Sequence, residues 1–200
     1  MKDLTLAEAI AALAAGQVVA LPTDTVYGVG AALAHPAAVA RLFALKGRPA
    51  TVALPVVLAD TAQVASLAVT WTAPAAALAA ACWPGALTIV VPAAPALAAL
   101  VGADASIGLR VPDDDTVRTA ARAVGPLALT SANAHGAAPA TTAADVRAAL
   151  PRGLAGVVDA GPRDGAVSTV VDLTGPRWRV HRVGAISPQR LRELLGPGGD

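Results

Sequence analysis

The segment LPTDTVYGVG, residues 21–30, decides how the rest of the chain is interpreted. It overlaps the end of an apolar run, QVVAL at residues 17–21, which predicts a buried strand. Two threonines, an aspartate and a tyrosine therefore follow directly where a strand ends. In an open α/β sheet, ligands bind outside the carboxyl ends of the strands. The segment predicts a binding loop in an α/β protein, although PTDT alone would also suit an Asx turn.

Helices and strands alternate along the first part of the chain, and strands cluster towards its end. Thr5 and Glu8 form a capping box that opens a helix, and Pro36 opens a second helix that ends near Lys46. Pro55, within the strand-like run 52–58, predicts an edge strand or a bulge. We expect a single α/β domain with a large twisted, mixed sheet flanked by helices.

The composition describes a weakly charged chain with a core of small side chains. Of its 200 residues, 55% are hydrophobic, 2% are aromatic and 14% are charged, and the net charge is +1. Soluble domains usually have about 25% charged residues. Nothing in the overall charge favours wrapping nucleic acid or lying on an anionic membrane, so any basic function must come from a local cluster.

The uncharged stretch between Asp60 and Asp104 does not predict a membrane span, because prolines interrupt it repeatedly. The first ten residues lack a secretory pattern, since Asp3 and Glu8 break the apolar run. The single cysteine, Cys82, has no partner for an internal disulfide. We expect a cytoplasmic protein without a membrane partner.

Several standard sites are absent from the sequence. There is no P-loop, no dinucleotide-binding glycine motif between a strand and a helix, and no nucleophile elbow. His35, His135 and His181 are scattered without the spacing of metal ligands, so no metal site is predicted.

Short polar or cationic segments remain, nearly all at predicted strand ends. They are PTDTVYG at 22–28, KGR at 46–48, Arg110, TSAN at 130–133, ST at 168–169 and Arg182. Arginine presents a planar fork of donors to carboxylate or phosphate, and lysine acts as a point charge. This set suits a nucleotide and a small polar molecule, because phosphoryl-type transfer depends on positioning and charge stabilisation.

The amino-acid sequences of these segments, and their order along the chain, resemble those of the YrdC-like family of threonylcarbamoyl-AMP synthases. The matching motifs are LPTDTVYGVGA, LFALKGRP, CWPGALTIVV, IGLRVP, LALTSAN and STVVDLTG followed by RVGAIS. The resemblance runs from about Thr5 to Ser187 and implies the YrdC-like fold with a concave basic cavity. It places a catalytic domain at residues 5–187, followed by a short C-terminal helix and flexible tail at 188–200, as in the short single-domain form of the family.

The resemblance also implies an activity and a set of site residues. L-Threonine, bicarbonate and ATP would give L-threonylcarbamoyl-adenylate and pyrophosphate, for modification of tRNA adenosine 37. Lys46 and Arg48 would be catalytic and hold the ATP phosphates. By similarity, the threonine-binding residues would be Thr25, Arg110 and Ser168, and further nucleotide-binding residues would be Ser106, Ser131, Asn133 and Arg182.

ATP is expected as a substrate accompanied by Mg²⁺, with no tightly bound cofactor. The expected partners are L-threonine, bicarbonate, ATP and a downstream threonylcarbamoyl-transferase complex, with tRNA or double-stranded RNA as a further candidate. The chain departs from the family pattern at Val52, Val57, Val167 and Val183, and His135 replaces a common serine. These departures leave open a reduced activity or a specialised paralogue.

Two other interpretations remain. A non-catalytic RNA-binding module of the same fold could use the basic residues for RNA phosphates, although one tyrosine leaves little for stacking on bases. The carbamoyl-adenylate-forming domain of hydrogenase maturation proteins is the second. Those proteins carry paired cysteines in additional domains, and this chain has one cysteine.

Overall fold

The computed structural model describes residues 1–47, 53–67, 69–133, 136–163 and 167–198. Arg48, which was predicted to hold ATP phosphates, lies outside the described residues, as do Val52 and His135. Seven α-helices occur in the described part of the chain. They are α1 (Leu6–Ala14), α2 (Pro36–Lys46), α3 (Ala73–Cys82), α4 (Pro95–Leu100), α5 (Asp115–Val124), α6 (Ala143–Ala149) and α7 (Pro188–Leu195).

Ten described strands form one mixed sheet. They are β1 (Lys2–Asp3), β2 (Val19–Leu21), β3 (Gly28–Ala32), β4 (Val56–Val57), β5 (Leu87–Pro92), β6 (Ser106–Arg110), β7 (Leu127–Ser131), β8 (Gly156–Val157), β9 (Thr169–Asp172) and β10 (Arg179–Arg182). Their order across the sheet is β1-β8-β2-β3-β7-β4-β6-β5-β9-β10. Parallel and antiparallel pairs both occur, which confirms the predicted mixed α/β sheet.

Helices pack on both faces of the sheet. Along β2, Val19 and Leu21 join one apolar cluster while Ala20 joins the other, because successive side chains of a strand point to opposite faces. The smaller cluster contains the buried faces of α1 and α5, and the larger contains those of α2, α3, α6 and α7. The sheet is therefore the middle of three layers, and its strand ends present the polar loops.

The predicted capping box at the start of α1 is confirmed. Thr5 Oγ1 accepts a hydrogen bond from the Glu8 backbone N–H at 3.2 Å, and Glu8 Oε2 accepts one from the Thr5 N–H at 2.8 Å. Both bonds satisfy donors that a helix start leaves without partners. Ala9 and Leu13 are fully buried on the face that α1 turns towards the sheet.

The prediction of an edge strand or bulge at Pro55 is wrong. Strand β4 lies inside the sheet, antiparallel to β7 and parallel to β6, with regular register to both. Pro55 precedes the first paired residue, Val56, and its carbonyl accepts a hydrogen bond from Leu129 N–H at 3.0 Å. The missing proline donor therefore falls where the ladder does not need it.

The uncharged stretch between Asp60 and Asp104 folds into short elements. Asp60 caps a 3₁₀ helix at Thr61–Ser66, and Thr72 caps α3. Strand β5 and helix α4 follow. Among the described residues, no helix has both the length and the apolar character that crossing a membrane requires.

Candidate active site

A cavity of about 490 Å³ opens beside the loop that follows β2 and the ends of several neighbouring strands. Its wall combines polar side chains with small apolar ones such as Val90 and Val170. The polar and cationic residues that line it are Thr23, Thr25, Thr88, Ser106, Arg110, Thr130, Ser131, Ser168, His181 and Arg182. The concave shape agrees with the expectation from sequence, while the basic character of the cavity stays a prediction.

Thr23 shapes the loop that follows β2. Its Oγ1 donates to the Val26 carbonyl oxygen at 2.6 Å and accepts from the N–H groups of Thr25 and Val26, both at 3.2 Å. Thr23 Oγ1 also lies 3.0 Å from Thr25 Oγ1. One buried hydroxyl thus closes the turn and aims Thr25 into the cavity.

Tyr27, in the same loop, has a structural position. The side chain is fully buried. Its hydroxyl donates to the Gly161 carbonyl oxygen at 2.8 Å and accepts from the Ala160 N–H at 3.0 Å. Burial raises the pKa of the Tyr27 hydroxyl. The tyrosine ties the loop after β2 to the segment after β8, and Tyr27 is absent from the cavity lining.

Arg110 ends β6 with its guanidinium held from three sides. Nε donates to the Gly85 carbonyl oxygen at 2.9 Å, Nη1 to Thr25 Oγ1 at 3.2 Å and Nη2 to Asp24 Oδ1 at 2.6 Å. Burial lowers the pKa of Arg110, and the Asp24 carboxylate acts against that shift. A nearly buried cation at the cavity wall, fixed in one orientation, is suited to binding a carboxylate.

Lys46, in the last turn of α2, meets the end of β7. Its Nζ donates to the Ser131 carbonyl oxygen at 2.6 Å and to Asn133 Oδ1 at 2.7 Å. Ser131 Oγ donates to the same Asn133 oxygen at 2.6 Å. The lysine is 5% exposed, so Lys46 and the TSAN segment form one compact polar cluster beside the cavity.

Ser168 connects two predicted subsites. Its Oγ lies 3.0 Å from Thr88 Oγ1 and accepts from Arg182 Nη2 at 2.9 Å, while Arg182 Nε donates to its carbonyl oxygen at 2.9 Å. Burial and the positive charge of Arg110 lower the pKa of Arg182. A residue predicted to contact threonine therefore touches a residue predicted to contact the nucleotide.

The structure brings most of the predicted site residues together. Six of them line the cavity: Thr25, Ser106, Arg110, Ser131, Ser168 and Arg182. Lys46 and Asn133 lie against Ser131, and Arg48 is outside the described residues. Their individual roles stay predictions.

Five further residues at the site were not among the predicted site residues, and one of them, Thr130, belongs to the TSAN segment. Thr23 and Asp24 belong to the quoted loop, where their polarity was a usable signal. Thr88 sits in an apolar strand, and His181 lies in the mixed run WRVHRV without a recognisable motif of its own. Only the tertiary arrangement places Thr88 and His181 on the cavity wall.

Known proteins of similar sequence match most of the chain. Residues 11–184 match the family model Sua5_yciO_yrdC, described as "Telomere recombination". The chain is 40% identical to a putative threonylcarbamoyl-AMP synthase of Mycobacterium tuberculosis over 96% of its own length and 89% of the relative's. It is 36% identical to the threonylcarbamoyl-AMP synthase of Bacillus subtilis, covering 98% of this chain and 58% of that protein.

A solved structure shares the fold closely. Pyrococcus abyssi Sua5 in complex with L-threonine superposes with a TM-score of 0.91 at 31% identity. The match covers 96% of this chain and 57% of the Sua5 chain. The family match over most of the chain, together with these relatives, shows that the chain belongs to the Sua5/YciO/YrdC family.

Proposed function

We propose that this protein is a threonylcarbamoyl-AMP synthase, which converts L-threonine, bicarbonate and ATP into L-threonylcarbamoyl-adenylate and pyrophosphate. One observation carries the proposal: Arg110 with Thr25, and Ser168 with Arg182, line a single cavity. An arginine proposed to bind a carboxylate and an arginine proposed to bind phosphate thereby face the same cavity. The names of the relatives agree with this activity.

The threonine end of the cavity is built around Arg110. The guanidinium would pair with the carboxylate of L-threonine, and the hydroxyls of Thr25 and Ser168 would contact its polar atoms. Because Asp24, Thr25 and Gly85 already hold Arg110 in place, little side-chain entropy remains to be lost on binding.

The nucleotide end would use Lys46, Arg48, Ser106, Ser131, Asn133 and Arg182. Lys46 is held by Ser131 and Asn133, which keeps a fixed positive charge beside the cavity. Fixed cations stabilise charge that develops on the leaving pyrophosphate more effectively than mobile ones, because no reorganisation is needed during the reaction.

The proposed chemistry proceeds in two steps. The threonine ammonium loses one proton, its nitrogen bonds to the carbon supplied by bicarbonate, and water leaves to give a carbamate. A carbamate oxygen then bonds to the α-phosphorus of ATP while the bond to the β-phosphate oxygen breaks and pyrophosphate departs. The protein contributes positioning and charge stabilisation, with no covalent intermediate on a side chain.

The role of Mg²⁺ is a further part of the proposal. The triphosphate would bring the ion, since phosphate oxygens and water are ligands that Mg²⁺ prefers. Among the described residues there is no group of three or more His, Cys, Asp or Glu side chains placed to hold a metal. We propose no tightly bound cofactor.

The fate of the product is also proposed. The adenylate would pass to a separate threonylcarbamoyl-transferase complex that modifies tRNA in the cytoplasm. Residues 5–187 would hold the catalytic residues, and helix α7 packs on the same core through Leu191. Direct contact with tRNA or double-stranded RNA would be an additional property of the same surface.

The non-catalytic RNA-binding module is the less favoured alternative. The relatives from Mycobacterium tuberculosis and Bacillus subtilis are named for a synthase activity. The polar residues at the site also lie within a cavity, where a small molecule fits better than an RNA helix. Measuring pyrophosphate release from ATP decides between the synthase and the RNA-binding module.

The test is pyrophosphate release from ATP by the purified protein with bicarbonate, with and without L-threonine, and with L-serine as a control. We expect release that depends on L-threonine and a product with the mass of threonylcarbamoyl-adenylate. Arg48→Ala and Arg110→Ala should each lower turnover by about 10²-fold or more. RNA binding without release would reject the synthase, and full activity in both variants would reject the site assignment.

A further inference from the structure

A bulge near the edge of the sheet turns His181 towards the cavity. Val180 pairs with Val171 and Arg182 pairs with Val170, so two steps along β10 match one step along β9 and His181 is the extra residue. Regular strands point successive side chains to opposite faces, yet His181 and Arg182 both line the cavity. Bulges re-aim side chains in this way and are common next to active sites.

Asp172 orients the imidazole of His181. His181 Nε2 lies 2.9 Å from Asp172 Oδ2, and Asp172 Oδ1 accepts from the N–H and hydroxyl of Thr174 at 2.8 and 2.7 Å. The Asp172 side chain is 19% exposed, whereas that of His181 is 55% exposed. The ring is therefore held at one edge while much of its surface stays open for contact.

The register of the sheet places this ring at the nucleotide end of the cavity. Val90 on β5 pairs with Asp172 on β9 and with Gly108 on β6. Gly108 lies two residues after Ser106 on the same strand. Arg182 follows His181 directly. Ser106 and Arg182 are the residues proposed for the nucleotide, and Asp172 is a charged group in contact with the ring.

His181 is the only aromatic ring among the described residues that line the cavity, and the apolar or small residues Val90, Gly108 and Val170 line the same cavity. A purine base is planar, and proteins bind unpaired bases by stacking them on aromatic side chains, including histidine. We propose that His181 stacks on the purine base of the bound nucleotide and that Asp172 is its positioning residue. The proposal rests on the proposed function, because it requires a nucleotide in this cavity.

Equilibrium binding tests the proposal without turnover. The two probes are α,β-methylene-ATP and inorganic tripolyphosphate, which has no base, titrated into the wild type, His181→Ala and His181→Phe. We expect His181→Ala to weaken binding of the ATP analogue about tenfold and to leave tripolyphosphate binding unchanged, because stacking contributes only when a base is present. His181→Phe keeps a planar ring but loses the contact with Asp172, so it should recover only part of the affinity that His181→Ala loses.

The matched control is His35→Ala, since the His35 ring contacts the Ala14 carbonyl oxygen outside the cavity and should leave both affinities unchanged. Melting temperatures establish that each variant is folded. Unchanged analogue affinity in His181→Ala, equal weakening for both probes, or equal weakening in His181→Phe would overturn the stacking role. A wild type that neither binds the analogue nor releases pyrophosphate would reject the proposed function itself. If the wild type is active and one of the outcomes above occurs, only the stacking role is rejected.

Discussion

Arg110 Nη2 and Asp24 Oδ1 lie 2.6 Å apart, and the two side chains are only 10% and 15% exposed. The same guanidinium contacts Thr25, which lines the cavity, whereas Asp24 is outside the cavity lining. Asp24 therefore holds Arg110 from behind the site. Its carboxylate offsets the cost of keeping a nearly buried positive charge, and this cost shows as a lowered pKa of Arg110.

Asp24→Asn should weaken L-threonine binding more than ATP binding. The variant leaves the Arg110 charge without its closest counter-ion, so only the contacts with Gly85 and Thr25 hold the guanidinium in its orientation. We expect the KM for L-threonine to rise about tenfold or more, with the KM for ATP within about twofold of the wild type. Steady-state pyrophosphate release measured against each substrate tests this split.

Asp24→Glu serves as the conservative control, because it keeps the charge and should recover part of the threonine affinity. A lower melting temperature is expected for Asp24→Asn as well, since breaking a buried ion pair costs about 3–5 kcal/mol. A variant that melts earlier but keeps the wild-type KM for L-threonine would show that Asp24 acts on stability alone.

Lys46→Met should slow turnover and weaken ATP binding. The substitution removes a positive charge that Ser131 and Asn133 hold beside the cavity while keeping a long apolar stem. We expect a decrease in turnover of about 10²-fold, typical of losing one group that stabilises developing charge. Arg41→Met, on an exposed position of the same helix, should retain wild-type kinetics. Equal activity in the two variants would remove Lys46 from the site.

Thr88→Val should disturb the threonine end without removing a charge. The side chains are nearly the same size, so the main change is loss of the hydroxyl that lies 3.0 Å from Ser168 Oγ. Ser168 would then be held by Arg182 alone, and we expect kcat/KM for L-threonine to fall about tenfold, the cost of one lost buried hydrogen bond. The measurement is pyrophosphate release at varied L-threonine, with Thr116→Val on α5 as the control.

Local sequence signals were sufficient for elements whose cause is local. Thr5 caps α1 by accepting a hydrogen bond from Glu8 in the first turn of the same helix. Pro36 begins α2 at a position where a missing N–H has no cost. Arg110 was correctly placed at a strand end because Ile107 and Leu109 alternate with small residues before it and Pro112 follows shortly after.

The remaining features depend on contacts between distant segments. Strand β3 was missed because GVGAA has little strand propensity. Its glycines are needed where Leu129 packs against them, since a Cβ on Gly28 would lie 2.4 Å from Leu129 Cδ2. Lys46 meets Asn133 across 87 positions of sequence, and the His181 bulge exists only relative to β9. The resemblance to a family predicted the site residues that spacing alone left scattered.

The carboxylate of Glu8 should make stability depend on pH in the acidic range. Lys2 Nζ donates to Glu8 Oε1 at 2.7 Å, and the backbone N–H and hydroxyl of Thr5 donate to Oε2. These contacts, led by the Lys2 hydrogen bond, lower the pKa of Glu8 from 4.5 to about 2. Because the folded state prefers the ionised form, the contribution is complete above pH 4.5 and is lost as the pH falls towards 2.

Glu8→Gln should therefore lower the melting temperature at pH 7, and the difference from wild type should shrink between pH 4.5 and 2. Circular dichroism melts across this range measure the difference, and a carboxyl-resolved NMR titration locates the pKa itself. Lys2→Met is the matched variant, because it removes the largest contribution to the shift while keeping the capping box. We expect the pKa of Glu8 to rise in Lys2→Met, and an ordinary pKa in the wild type would contradict the role of the Lys2 contact.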